Sequence, residues 1–152
     1  MHKYELEHIL SFTATLGELE VIGPVPEGVR ANLFVTGGEV TGPRISGRVR
    51  PAGGDWLTVG TDGVAIVDAR LTFEVGRETL LYVAYGGVGD LGADGYERFL
   101  RGDLPPVVPL RVVPRFRTAD PGLLWISRPQ CLGIGEFDAE TSRASYDVYA
   151  VR

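Results

Sequence analysis

The sequence predicts an all-β fold: a single antiparallel β-barrel of about eight to ten strands over residues 1–152, with one short helical connection. Three observations predict it. Two long segments alternate apolar and polar residues with a period of two. The 21 glycines and 10 prolines are scattered through the chain as turn punctuation. Only one stretch has helical spacing, and it is barely two turns long. A β-sandwich is the alternative arrangement of the same strands.

The first alternating segment places Tyr4, Leu6, His8, Leu10, Phe12, Ala14 and Leu16 on one face, with Ile9 as the exception to the pattern. Period-two alternation of this length predicts a half-buried strand, ended by Gly17. Glu18 to Ile22 continues as a second strand before Gly23-Pro24, and shorter strands are expected at 29–35, 44–49 and 56–59. From Val64 to Val75 the alternation is cleanest, with Ala65, Val67, Ala69, Leu71, Phe73 and Val75 opposite Asp68, Arg70, Thr72 and Glu74. Gly76-Arg77 then suits a tight hairpin into a strand over 78–85.

Residues 94–101 carry Tyr96, Phe99 and Leu100 at helical spacing and read as a lid or connection. The Leu104-Pro105-Pro106-Val107-Val108-Pro109 run must be extended, because proline is excluded from helix interiors. Strands over 111–117, 132–136 and 144–151 complete the chain. So many strands in one sheet leave edges to manage, and closure removes them. Barrels of about eight strands or more can hold one small ligand.

Composition excludes several function classes. A net charge of −5 and a pI near 5.0 argue against a phosphate-backbone binder, so no nucleic-acid partner is expected. No stretch approaches the ~20 apolar residues of a membrane span, and the amino-terminal residues lack an apolar signal core, which predicts a cytoplasmic protein with no membrane partner. Cys131 is the only cysteine, so it reads as a buried, inert thiol. With two histidines and one cysteine, a zinc or iron site lacks ligands, and no metal or cofactor is expected. Gly86-Gly87-Val88-Gly89 and Gly133-Ile134-Gly135 lack dinucleotide-binding spacing and a phosphate-loop lysine.

Several blocks carry a resemblance. Gly37-Gly38-Glu39-Val40-Thr41-Gly42-Pro43, Gly47-Arg48-Val49 and Pro51-Ala52-Gly53-Gly54-Asp55-Trp56 come first, followed by Asp68-Ala69-Arg70. Pro114-Arg115-Phe116, Trp125-Ile126-Ser127-Arg128 and Tyr146-Asp147-Val148-Tyr149 follow in order. Together they resemble the bacterial and fungal family called "domain of unknown function 3237". The Gly-Gly-Asp-Trp block is the most specific of them. The chain departs from the family pattern at Glu74-Val75-Gly76-Arg77, where a Thr-Asp-Asp-Gly-like turn is usual, and at Trp125-Ile126-Ser127, where Trp-Leu-Asn is usual. The resemblance implies a β-barrel, often oligomeric, so a homo-oligomer such as a dimer is expected; it supplies no reaction.

Candidate site residues follow from position and chemistry. Asp55, after two glycines at a loop-to-strand junction, could act as a general base or anchor a substrate hydroxyl; alternatively it caps its own turn. Asp68 and Arg70 lie two apart on one strand, so they point the same way, either as a polar pair in the lumen or as a water-facing pair. Arg115, with Arg111 and Arg117 on the same strand, could stabilise enolate or carboxylate charge, or lie on a solvated face; Arg30 has the same two readings. His8 is the polar exception on an apolar face and is either a hydrogen-bonded core residue or a ligand contact. Trp56, Tyr82 and Trp125, with Tyr85, Tyr96, Tyr146 and Tyr149 also available, could line an aromatic pocket or simply pack.

The functional expectation is a barrel holding a small, carbonyl-bearing molecule. If catalytic, it would be a cofactor-independent isomerase, cyclase or lyase. Asp55 and Asp68 would be its acid/base groups, Arg70 and Arg115 its charge stabilisers, and Arg30, Trp56, Tyr82, Trp125 and His8 its ligand contacts. A non-catalytic carrier or sensor, and an interaction module with no pocket, are the alternatives.

Overall fold

The structure, a computed structural model, describes all residues from Met1 to Arg152. Nine antiparallel strands form one sheet: β1 (Leu6–Leu16), β2 (Glu20–Val25), β3 (Gly28–Thr41), β4 (Gly47–Val59), β5 (Val64–Val75), β6 (Thr79–Asp90), β7 (Val107–Arg117), β8 (Cys131–Asp138) and β9 (Arg143–Val151). Their order is β1-β9-β8-β7-β6-β5-β4-β3-β2, and β1 also pairs with β3. That pairing closes an eight-stranded barrel, with β2 as an extra strand on β3. One short helix, α1 (Gly95–Leu100), lies between β6 and β7, and a 3₁₀ turn spans Pro121–Ser127. No helix is long and apolar enough to cross a membrane.

The period-two pattern decides which face is inside. On β5, Ala65, Val67, Ala69, Leu71, Phe73 and Val75 are all buried in the lumen. On β7 the same role falls to Val108, Leu110, Val112 and Phe116, leaving Arg111, Arg115 and Arg117 exposed outside.

Irregularities in the ladder correct two sequence expectations. In β1 the register against β9 shifts between His8 and Leu10, so Ile9 and Leu10 are both buried while His8 turns outward. The single exception in the alternation marks that bulge. In β4, Val49 pairs with Phe73 and Gly53 with Leu71, so β4 carries two extra residues and runs as one strand where two were expected. Glycine is required there: Gly53 has φ +88°, and a side chain would collide with the Arg70 carbonyl. Between β1 and β2 the chain breaks at Gly17, whose N–H donates to the Phe34 carbonyl (2.9 Å), and β2 follows the break along β3.

The two ends of the barrel differ. The connections 42–46, 76–78 and 118–130 lie at one end, with Ile45 and Ile126 buried beneath them. The middle is filled by an aromatic layer: Phe12 and Phe73 (ring centroids 5.0 Å apart) and Phe73 and Phe116 (6.3 Å). The connections 60–63, 91–106 and 139–142 lie at the other end. Here the lumen is lined by Ala14, Val59, Ala65, Ala69 and Ala144 among others, residues too small to meet across it.

Candidate functional site

The unfilled half of the lumen is a cavity of about 480 Å³, within the usual range for a small-molecule site. Twenty-one of its 26 lining residues are hydrophobic. Leu91, Phe99 from α1, and Leu104 cover its end, while Gly17, Glu18, Leu19, Ala139 and Ser142 surround it where the first strand breaks. At its depth stand three polar side chains: Asp55 from β4, Tyr85 from β6 and Tyr146 from β9.

Local backbone geometry aims Asp55 inward. Past the bulge, Asp55 pairs with Leu33 on β3 and Ala69 on β5, both lumen-facing. The β4–β5 ladder next pairs at Thr58 and Ile66, and in the interval the Asp68 N–H donates to Asp55 Oδ1 (2.9 Å). One carboxylate oxygen thus takes the place of a backbone acceptor, leaving Oδ2 for other partners. Burial pushes the Asp55 carboxyl up to about 6; the Asp68 N–H bond opposes this, and the Asp68 carboxylate adds to it.

Tyr85 and Tyr146 are both buried, with rings edge to face at 5.5 Å, and Tyr146 stacks on Phe12 at 4.9 Å. Burial raises both hydroxyls far above the ordinary tyrosine range, and the Asp55 charge adds to the shift in each. The neighbouring hydroxyl eases the rise on Tyr85 and reinforces it on Tyr146. Gly135 makes room for the Tyr146 ring, since a side chain on that glycine would strike the ring edge. Both tyrosines therefore stay protonated at neutral pH and can donate to a ligand oxygen.

Of the nine candidate residues, only Asp55 lines the cavity. Asp68 and Arg70 form an ion pair on the outer wall (2.7 Å), each about half exposed, so they are corrected from lumen to surface. Tyr82 is exposed on the same wall next to Arg70. Arg115 is also outside, reaching Gln130 Oε1 at 3.4 Å. Trp56 and Arg30 alternate outward from the buried residues of β4 and β3, with Trp56 edge-on to exposed Phe34 at 6.3 Å. Trp125 lies in the 3₁₀ turn at the opposite end, under the Arg44 guanidinium (4.0 Å from the ring centroid).

His8 Nε2 is 2.9 Å from Ser11 Oγ, which donates to Asp147 Oδ1 (2.6 Å) on the outer face. Serine, not histidine, is the middle member, so the histidine has no carboxylate to orient it as a base. No group of three or more His, Cys, Asp or Glu side chains gathers as metal ligands. Tyr85 and Tyr146 took the place expected for Tyr82; alternation in step with buried Leu81 and Val83 was the signal that singles out Tyr85.

The outer placement has a direct consequence. Asp68→Asn and Arg70→Ala should each leave the melting temperature and any ligand affinity unchanged, because a half-exposed surface pair contributes little. A drop in affinity from either variant, read by fluorescence titration, would return that pair to the site.

Comparison with known proteins adds the following. A family profile described as "Protein of unknown function (DUF3237)" matches residues 4–151. A UPF0311 protein of Rhodopseudomonas palustris is 30% identical over 149 residues, covering 97% of this chain and 96% of its own. The crystal structure of a conserved protein of unknown function from that organism superposes with a TM-score of 0.87 at 28% identity, over 100% of both chains. A "beta-barrel like protein" of Acinetobacter baumannii gives a TM-score of 0.83 at 23% identity, covering 100% of this chain and 98% of its own. An enzyme of Penicillium herquei shares the fold with a TM-score of 0.70 at 19% identity, over 100% of this chain and 97% of that one.

Proposed function

Since the chain belongs to the DUF3237 family of proteins of unknown function, we propose a role from its own cavity: a β-barrel that binds a small carbonyl-bearing molecule and moves a proton on it through Asp55, without a cofactor. The observation that carries this reading is a single carboxyl, raised to about 6, at the depth of an otherwise apolar chamber beside two protonated tyrosines. Perturbed carboxyls in clefts are where general acids and bases are found. A group titrating near the working pH can both accept and return a proton.

In the proposed step, the Asp55 carboxylate removes a proton from the carbon next to a ligand carbonyl. The C–H electron pair becomes the C=C bond of an enolate, and the displaced carbonyl electrons settle on oxygen. Tyr146 or Tyr85 donates a hydrogen bond to that oxygen, a role first expected of Arg70 and Arg115. Where the enolate is conjugated, return of the proton from Asp55 to its far carbon gives isomerisation. Attack of the enolate carbon on a second carbonyl of the same molecule, whose π electrons pass to its oxygen and take the proton from Asp55, gives cyclisation. Departure of a leaving group from the β-carbon with its bonding pair, taking that proton, gives elimination. The Penicillium herquei fold relative is called an enzyme, which favours the catalytic reading. The apolar wall, with so few polar groups, equally suits a carrier.

Proton exchange separates the two. With the apolar ketone 2-tetralone in D₂O, the wild type should speed incorporation of deuterium next to the carbonyl, followed by NMR. Asp55→Asn should lose this acceleration by about 10²–10⁴-fold while still binding the ketone. Binding without acceleration by the wild type would overturn catalysis and leave the carrier.

A further inference from the structure

We infer that the natural ligand carries no negative charge and that the cavity rejects anionic apolar molecules, fatty carboxylates and aryl sulfonates included. This deepens the pocket reading above and rests on it. None of the residues lining the cavity is Lys, Arg or His. The arginines that could have met an anion, Arg70 and Arg115, point out of the barrel, away from it. Both acidic residues of the lining oppose an anion: Asp55 stands at the depth and Glu18 at the rim, and the chain carries a net charge of −5. An anion entering would lose its hydration against an apolar wall and meet a like charge with no cation to offset it.

An uncharged molecule with one hydroxyl or carbonyl can be satisfied completely. A hydroxyl donates to Asp55, and a carbonyl accepts from a tyrosine, while its rings replace water along the walls.

The test uses two fluorophores that share a skeleton and differ by one anionic group: N-phenyl-1-naphthylamine, which is uncharged, and 8-anilinonaphthalene-1-sulfonate. At pH 7.5 the uncharged probe should bind at least about tenfold tighter, since like-charge apposition costs more than one decade of affinity. Asp55→Asn should narrow that ratio by restoring some sulfonate binding. To place the probe in the lumen, Ala69→Phe fills the chamber and Ala139→Trp obstructs its rim; the second lies in a surface turn and does not threaten folding. Both should weaken probe binding.

Equal or tighter sulfonate binding that both blocking variants weaken would overturn the charge inference while leaving the pocket intact. Absence of binding by any probe, or binding that neither blocking variant alters, would overturn the pocket itself and the inference with it.

Discussion

Asp55→Asn is expected to raise the melting temperature at pH 8 by roughly 6–12 °C and to leave it unchanged at pH 4. In the unfolded chain this carboxyl ionises at its ordinary value of 3.8; in the barrel it ionises at about 6. The folded state thus holds the proton more tightly than the unfolded state. Its stabilising contribution is fully present below pH 3.8, falls as pH rises through 6, and is gone above about pH 7. That interval is worth about 3 kcal/mol. Asparagine cannot ionise, so it escapes the penalty, and its carbonyl oxygen can still accept the Asp68 N–H that Asp55 Oδ1 accepts at 2.9 Å. A group that destabilises its own fold at working pH is what a functional carboxyl looks like. Melting curves of the two proteins that stay parallel from pH 4 to pH 8 would remove the strain from Asp55.

Phe73→Ala should cost about 3–5 kcal/mol in denaturant unfolding. Phe73 is fully buried, sits between Phe12 and Phe116, and pairs across the sheet with Val49 and Leu81. The ring is the centre of the layer that closes the bottom of the cavity, and the barrel cannot collapse around its loss because its eight strands are hydrogen-bonded into a closed ring. Phe12 supports Tyr146 by stacking, so the truncation should also loosen ligand binding, whereas Phe73→Leu should cost less. A loss below about 1 kcal/mol would mean the floor is not packed.

How far the sequence could be read depended on how regular each strand is. β5 was fully legible because its two faces differ at every position, and that same alternation put Asp68 and Arg70 in water. Their place in a block of the family resemblance does not say which side they face, and the periodicity is the better guide. β1 misled where a bulge breaks the period: carrying the alternation through Ile9 sent His8 inward, while the chain slips there and turns it out. Pro51-Ala52-Gly53-Gly54 reads locally as a loop, yet it is a two-residue bulge inside one strand, because Gly53 can take a conformation closed to other residues. Asp55 survived this error, since two extra residues preserve the parity that points it inward. Trp125 could not be placed from its neighbours: which end of the barrel it covers is fixed by closure between β1 and β3, a pairing that local patterns do not encode. The Tyr85–Tyr146 pair is of the same kind, brought together from β6 and β9 with Gly135 opposite Tyr146 as the only trace in the sequence.

The account stands on one carboxyl facing the lumen of the barrel and ionising at about 6. Carboxyl-detected NMR with ¹³C-labelled aspartate, assigned through Asp55→Asn, reads that titration directly. The midpoint should fall at about 6 and move when N-phenyl-1-naphthylamine fills the chamber. A midpoint near 3.8, indifferent to the probe, would place Asp55 in solvent and contradict the site.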